Sequence, residues 1–258
     1  MNLHNKMKLL KATSYIEYKA LVNNKHIIWS SLLTPILYFI FFGLSLSSTF
    51  NNIYFRGKEV DYISFIFIGI LGIILNSQLN QSVYRINIDK KWGLLAYKYK
   101  KGTTSAIYFL GKFIFPMLMV VVQSTILYII FYIFSVKISL LVFVKLLLIV
   151  VLGLVFWFSV GIIISLGTLS YKTRDFILGT ALLPIIFSAP TFYSFENVPI
   201  LYYMSQINPL TYQITSMRVM LFENGFDYNF IITSLLAIIA LAAAMFVINH
   251  TELLGDER

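Results

Sequence analysis

The sequence predicts an all-α membrane protein with six transmembrane helices and both termini on the cytoplasmic side. Three observations carry this. Of the 258 residues, 59% are hydrophobic and only 12% are charged, with a mean hydropathy of +0.80. Soluble domains carry about 25% charged residues, and a globular core of this size has no room for so much apolar surface. Six stretches, 27–50, 62–84, 113–134, 146–168, 176–195 and 229–249, are apolar over the roughly 20 residues that a helix needs to cross a bilayer core of about 30 Å. Strand alternation is absent from them, which argues against a β-barrel. Positive charge is then lopsided. With the N-terminus inside, segments 1–26, 85–112, 169–175 and 250–258 hold 15 of the 20 Lys and Arg residues. The outside segments hold the other five, Arg56, Lys58, Lys137, Lys145 and Arg218. That is the bias of the positive-inside rule. The first span follows a long polar stretch, too late for a cleaved signal peptide.

What the chain lacks narrows its chemistry. Without cysteine it has no disulfide scaffold, iron–sulfur centre or thiol nucleophile. Its three histidines, His4, His26 and His250, flank apolar stretches and have no metal-pair spacing. The net charge of +9 falls between apolar segments, so it reads as headgroup-facing charge rather than a nucleic-acid surface. Lys145, at the edge of the fourth span, is expected to snorkel to the outer headgroups. Arg85 lies just past the second span. The spans themselves contain no Asp, Glu, Lys, Arg or His, whereas ion-coupled carriers place titratable groups at mid-membrane. No arginine row, TVGYG-like filter or hydrolytic constellation is present. A phosphate loop is missing too: Gly111 and Lys112 precede Phe113, and Ala106 stands where the first glycine belongs. The chain reads as neither an enzyme nor a self-powered pump.

Polar and small residues in the spans are aligned. Gly69, Gly72, Asn76 and Asn80 share a helix face with Gln81 beside them, and Gly153, Trp157, Gly161 and Ser165 repeat every four residues. Two readings stay open. These residues pack helices together, or Asn76, Gln78, Asn80, Gln123 and Trp157 border a substrate path.

Two connecting segments stand out. The stretch 89–112, DKKWGLLAYKYKKGTTSAIYFLGK, is long enough for a short helix along the membrane surface. Its lysines would reach water while Trp92, Leu94, Leu95 and Tyr97 insert into a partner or the interface. The segment 196–228 is outside yet apolar. Asn208 and Pro209 form an N-cap and first-turn pair, Leu210, Ile214, Met217 and Leu221 fall on one face, and Asn224 and Gly225 end the helix. An amphipathic helix on or in the outer leaflet is expected. Phe192, Tyr193, Tyr202, Tyr203, Tyr212 and Phe222 suit that interface. Pro184 and Pro190 should kink or shorten the fifth span.

On these features the chain resembles the ABC-2 type transporter permeases, the membrane subunits of ATP-binding cassette exporters. The resemblance runs nearly end to end. NPLTYQITSMR (208–218) is similar to the family's Asn-Pro-Leu-Thr stretch, and LLTPILYFIFFG (32–43) is similar to the proline-containing first span of the drug-exporter branch. FIGIL (67–71) resembles the start of the family's second span. In the 89–112 loop Gly93 matches the family pattern, while Ala96 takes the acidic position and Gly102 the proline position. The Arg-Tyr-rich N-terminal motif of the polysaccharide branch is not found.

The resemblance implies an interfacial N-terminal helix over about 5–25. It also implies a re-entrant helical hairpin within 196–228, involving Pro199, Asn208, Pro209 and Tyr212. The 85–112 loop would be the coupling loop to an ATPase, through Asp89, Lys91, Trp92, Gly93, Leu95, Tyr97 and Lys98. A smaller contact at 170–175 would use Lys172, Arg174 and Asp175. ATP and Mg would sit on two copies of the separate ATPase subunit, with no cofactor on this chain. A second permease subunit, identical or related, would complete the path in a bacterial inner membrane. An amphipathic or hydrophobic cargo is favoured. A cell-surface polysaccharide, or an energy-independent channel or scaffold, are the alternatives.

Overall fold

The computed structural model describes residues 3–134, 138–168, 170–195 and 198–251. Lys137, the start of the 169–175 segment, residues 196–197 of the outer segment and the tail 252–258 lie outside the described residues. In chain order the elements are α1 (Leu3–Asn23), α2 (Lys25–Tyr38), a π-helical turn (Phe39–Leu44), α3 (Ser45–Ser47), β1 (Asn52–Phe55), β2 (Lys58–Asp61), α4 (Tyr62–Lys91), α5 (Leu94–Lys100), α6 (Ser105–Ile133), α7 (Leu140–Gly167), α8 (Tyr171–Phe187), α9 (Pro199–Ile207), α10 (Pro209–Glu223) and α11 (Tyr228–His250). The all-α architecture is observed, apart from one small hairpin. Among the described residues, five helical segments are long and apolar enough to cross a membrane: Ile28–Ser47, Tyr62–Lys91, Ser105–Ile133, Leu140–Gly167 and Tyr228–His250. The helices outrun the expected spans because their polar ends continue as helix; α4 reaches Lys91 instead of stopping at 84, and α6 starts at Ser105 instead of 113. In the fifth expected span, α8 ends at Phe187 after 17 residues, about 25 Å of helix. Pro184 and Pro190 stand at its end, and residues 188–195 are not helical.

Local chemistry sets each boundary. Asp61 caps α4 by accepting from the Ser64 amide at 2.8 Å, Thr104 caps α6 at 3.4 Å, Ser139 caps α7 at 3.3 Å and Asp227 caps α11 at 3.1 Å. The hairpin β1–β2 pairs antiparallel, with Phe55 opposite Lys58. Its two-residue tip, Arg56 and Gly57, has positive φ at both positions, the twist that tight hairpins require. Sequence reading missed this hairpin because Arg-Gly is not among the usual Asn-Gly or Asp-Gly signals. Inside the first span Pro35 cannot donate to the Ser31 carbonyl four residues back. That carbonyl instead accepts from Gln123 Nε2 of α6 at 2.7 Å, so a break in one helix becomes a bond between two.

α4 is the most enclosed helix, with side chains from Tyr62 to Asp89 buried along it. α7 lies between α4 and α11. Lipid gives apolar side chains no reason to leave it, so close contact depends on small residues and internal hydrogen bonds. A Cβ on Gly161 would collide with Ser82 of α4, and one on Gly153 would lie 2.7 Å from Leu75 of α4. Gly153 and Gly161 are thus points of close approach between α7 and α4. Gly69 and Gly72 on α4 serve the same purpose against Thr191 and Ile214.

α10 departs from expectation. It is not a one-sided helix. Leu210, Ile214 and Met217 are buried as expected, but so are Thr211, Gln213, Ser216, Arg218, Val219 and Met220. The reason is its position, packed against α4, α7 and α11, with Gly72 letting Ile214 in. Arg218, assigned from the sequence to an outside segment, is consequently 1% exposed. Using α4 as a ruler, Asn76 lies about 21 Å along the helix from Tyr62. Its amide faces the Leu182 carbonyl of α8 at 3.5 Å. α8 ends one to two turns further on, where Asn208 links it to α10.

Asn208 bonds in two directions. Its Oδ1 accepts from the Leu210 amide at 2.9 Å as the N-cap of α10, and its Nδ2 donates to the Ile185 carbonyl at 2.6 Å and to Ser188 Oγ at 2.9 Å. One side chain thus satisfies the start of one helix and an end carbonyl of another. Asn208→Ala is expected to lower stability by about 1–3 kcal/mol, from the lost cap and an orphaned carbonyl. Asn208→Asp, which keeps the cap but loses the donor, should fall between. Thermal unfolding of the detergent-solubilised variants measures the order.

Candidate functional site

The stretch expected to couple to a partner folds as a helical corner. α4 runs to Lys91, Gly93 turns the chain at φ 63°, α5 follows, and Gly102 at φ 85° closes it. Both angles lie where a side chain is strained and glycine is not. The short helix expected from the sequence is thus present, as α5.

A buried ion network fixes that corner. Asp89 accepts from Lys98 Nζ at 2.7 Å, from Lys112 Nζ at 2.9 Å and from Tyr108 Oη at 3.1 Å. Lys112 also meets Glu17 at 2.5 Å, and Arg85 pairs with the same Glu17. The chain of contacts joins α1, α4, α5 and α6. Burial lowers the Lys98 ammonium below the usual lysine range, and the Asp89 carboxylate restores only part of this. Nearby, Lys90 Nζ donates to the Thr168 carbonyl at 3.1 Å, tying the end of α7 to the same end of α4.

This arrangement splits the expected contact residues. Lys91 is exposed, Trp92 is 69% exposed and Tyr97 59% exposed, with Lys91 and Lys101 ammonium groups near the two rings. Asp89, Lys98 and Leu95, expected at the contact surface, are instead buried. The burial has a physical cause: α5 folds back on α4 and α6, and two lysines and a carboxylate leave water only as a hydrogen-bonded group. Lys172, Arg174 and Asp175 form the first turn of α8 rather than a loop. Lys172 is exposed, and Arg174 pairs with Asp175 at 2.7 Å.

The candidate path residues separate as well. Gln78 and Gln123 meet at a cavity of about 130 Å³ between α1, α2, α4 and α6, together with Ser31, Gln81, Phe115 and Met119. A second cavity of about 120 Å³ shares Ser31, Gln78, Gln81 and Gln123 and continues past Thr34 and Tyr38. The Gln123 Oε1 is buried without a partner. The others lie elsewhere. Asn76 turns toward α8, Asn80 is exposed, and Trp157 Nε1 donates to Gln213 Oε1 of α10 at 2.8 Å. In the outer segment Pro199 and Pro209 start α9 and α10, and Tyr212 Oη donates to the Gln206 carbonyl at 2.6 Å, joining the two helices. Lys145 reaches Asn224 Oδ1 at 3.2 Å.

Glu17, Arg85 and Lys112 were not picked from the sequence as a group. One signal was present: Glu17 is the sole carboxylate before Glu59, in a stretch with five lysines. Its pairing with residues 68 and 95 positions later has no local signature.

With this geometry established, residues 8–222 match the ABC-2 type transporter family, and the chain belongs to it. It is a multi-pass membrane permease component of an ABC transporter, not itself catalytic, and the family works with an ATPase partner. No curated relative matches the chain.

The network yields a stability test. Asp89→Asn leaves the Lys98 charge buried without its carboxylate, and is expected to cost about 3–5 kcal/mol. Trp92→Ala, on the exposed side, should leave the melting temperature unchanged. If Asp89→Asn with Lys98→Met recovers much of the loss, the cost is that of the stranded charge. Calorimetry on the four proteins measures it.

Proposed function

We propose that this chain is the permease subunit of an ATP-driven exporter, moving an amphipathic or hydrophobic compound out of the cell. In this reading α8 is the fifth of six crossings and both termini are cytoplasmic. α9 and α10 form a re-entrant hairpin from the outer side, and α1 lies along the inner interface. Two such chains, or this one with a related partner, enclose the path in a bacterial inner membrane. Two ATPase subunits holding ATP and Mg bind below. A two-fold pair is the commonest closed arrangement.

The observation that carries the proposal is that exposed Trp92 and Tyr97 sit on the same corner as a buried ion network, three residues from Asp89 and next to Lys98 in the chain. Exposed aromatic side chains on a braced helix suit a groove in a partner. A push on α5 reaches α1, α4 and α6 through Asp89, Lys98, Lys112 and Glu17 instead of being absorbed locally. α4 and α6 also wall the amide-lined cavity, so ATP-driven closure would alter it, a change between discrete packed states. The second contact is the start of α8, through Lys172 and the Arg174–Asp175 pair.

The cargo reading rests on that cavity, which sets Gln78, Gln81 and Gln123 against Ile28, Ile88, Phe115 and Met119, an amphipathic lining. A polysaccharide cargo has one observation in its favour. A cavity of about 500 Å³ near the hairpin is lined by Phe50, Tyr54, Tyr62, Phe192 and Tyr193, rings on which sugars stack. Susceptibility of a deletion strain to lipophilic drugs, set against its surface glycan profile, separates the two.

Replacing Trp92 and Tyr97 by alanine should weaken ATPase-subunit binding by about 30-fold for each anchoring ring, the equivalent of about 2 kcal/mol. Export should fall while the fold persists. Co-purification of the partner ATPase and dye efflux from proteoliposomes are the measurements. Full export by the double variant would sink the assignment of α5.

A further inference from the structure

Arg218 is a buried cation without a carboxylate. It is 1% exposed. Its Nη2 donates to the Phe65 carbonyl at 3.3 Å and the Thr191 carbonyl at 3.2 Å, and the guanidinium carbon lies 3.3 Å from the Phe65 ring centre. Nε has no partner. Among the described residues no Asp or Glu is within ion-pair distance. Two long bonds to neutral carbonyls and one ring face occupy part of the group, while burial of an unpaired charge is strongly unfavourable. One half of an ion pair is in place.

A cavity of about 190 Å³ adjoins it. Thr211, Thr215 and Arg218 line it from one face of α10, at helical spacing. Thr211 is 8% exposed and its hydroxyl is also without a partner. Arg56 lines the same cavity from the hairpin, where it pairs with Asp227 and lies 3.7 Å from Glu223. No carboxylate is among the lining residues. Arg56 is already held by its own carboxylates, so the groups left for a ligand are the Arg218 guanidinium and the threonine hydroxyls beside it, a donor set that suits an oxyanion. Tyr202, Tyr212 and Tyr228 surround it, and the neighbouring α9 exposes Ile200, Tyr203 and Ile207, a surface along which an acyl chain can lie.

We infer that this cavity binds a phosphate oxyanion, most naturally the headgroup of an anionic lipid, with Arg218 and Thr211 as its principal donors. The site goes beyond the transport reading and does not require it: the ligand completes a buried charge whether or not ATP drives the chain.

The test uses the full-length chain in phosphatidylcholine nanodiscs, with or without phosphatidylglycerol. Lipid retained after detergent extraction is read by mass spectrometry. The wild type is expected to retain phosphatidylglycerol over phosphatidylcholine by about tenfold, equivalent to about 1.4 kcal/mol. Arg218→Gln should abolish the preference, Arg218→Lys should keep part of it, and Thr211→Val should reduce it. Should Arg218→Gln fail to fold, the near-isosteric Thr211→Val decides, and an unchanged preference in it overturns the site. In phosphatidylcholine alone, a rise in wild-type melting temperature with inorganic phosphate, absent in the variant, supports the oxyanion site and assigns it a soluble source. A wild type that responds to neither probe, or a preference that survives Arg218→Gln, overturns the inference.

Discussion

In a bilayer every backbone and side-chain polar group withdrawn from water needs a partner inside the protein, and this structure is organised by that requirement. Helices satisfy themselves along their length and fail at their ends and at proline. Several side-chain bonds sit at those failures. Gln123 takes the Ser31 carbonyl that Pro35 cannot use, Asn208 serves α8 and α10 together, and Thr191 Oγ1 donates to the Ile186 carbonyl at 3.0 Å near the end of α8. Each repair is also a tertiary contact. The interruptions that weaken single helices are what fix them relative to one another.

The ion network at the other end follows the same logic with charges. Glu17 and Asp89 hold Arg85, Lys98 and Lys112, so four helices meet at one hydrogen-bonded knot. Such a knot adds little net stability over an apolar core. It does give a single geometry, since a carboxylate shared by two lysines and a tyrosine tolerates few arrangements.

Much of the architecture was legible because it follows from periodicity and local signals. Apolar length located the long helices, the Asn208 and Pro209 pair located the start of α10, and four-residue glycine spacing marked a small-residue face on α7, while its partner helix, α4, is visible only in the structure. What was hidden depends on distant partners. Nothing near Asp89 or Lys98 in the chain reveals that α5 folds back on α4 and α6, so both read as surface residues. The all-round burial of α10 was equally invisible. Its apolar face matched expectation, while Arg218, counted with the outside charges, lies against Phe65, and Gln213 accepts from Trp157. Of the candidate path, Gln78 and Gln123 share one cavity, where Gln123 takes the Ser31 carbonyl left over by Pro35, and Asn80 diverges because it occupies a different face of α4.

The hairpin between the first two long helices links parts of the chain far apart in sequence. Asp61 joins it directly to α4, while at its tip Arg56 grips Asp227, the residue that caps α11. The mouth of the bundle is therefore stapled across its width by a strap rooted in one helix and hooked to another. Any parting of these two helices at that end must unhook the strap or drag it along with them.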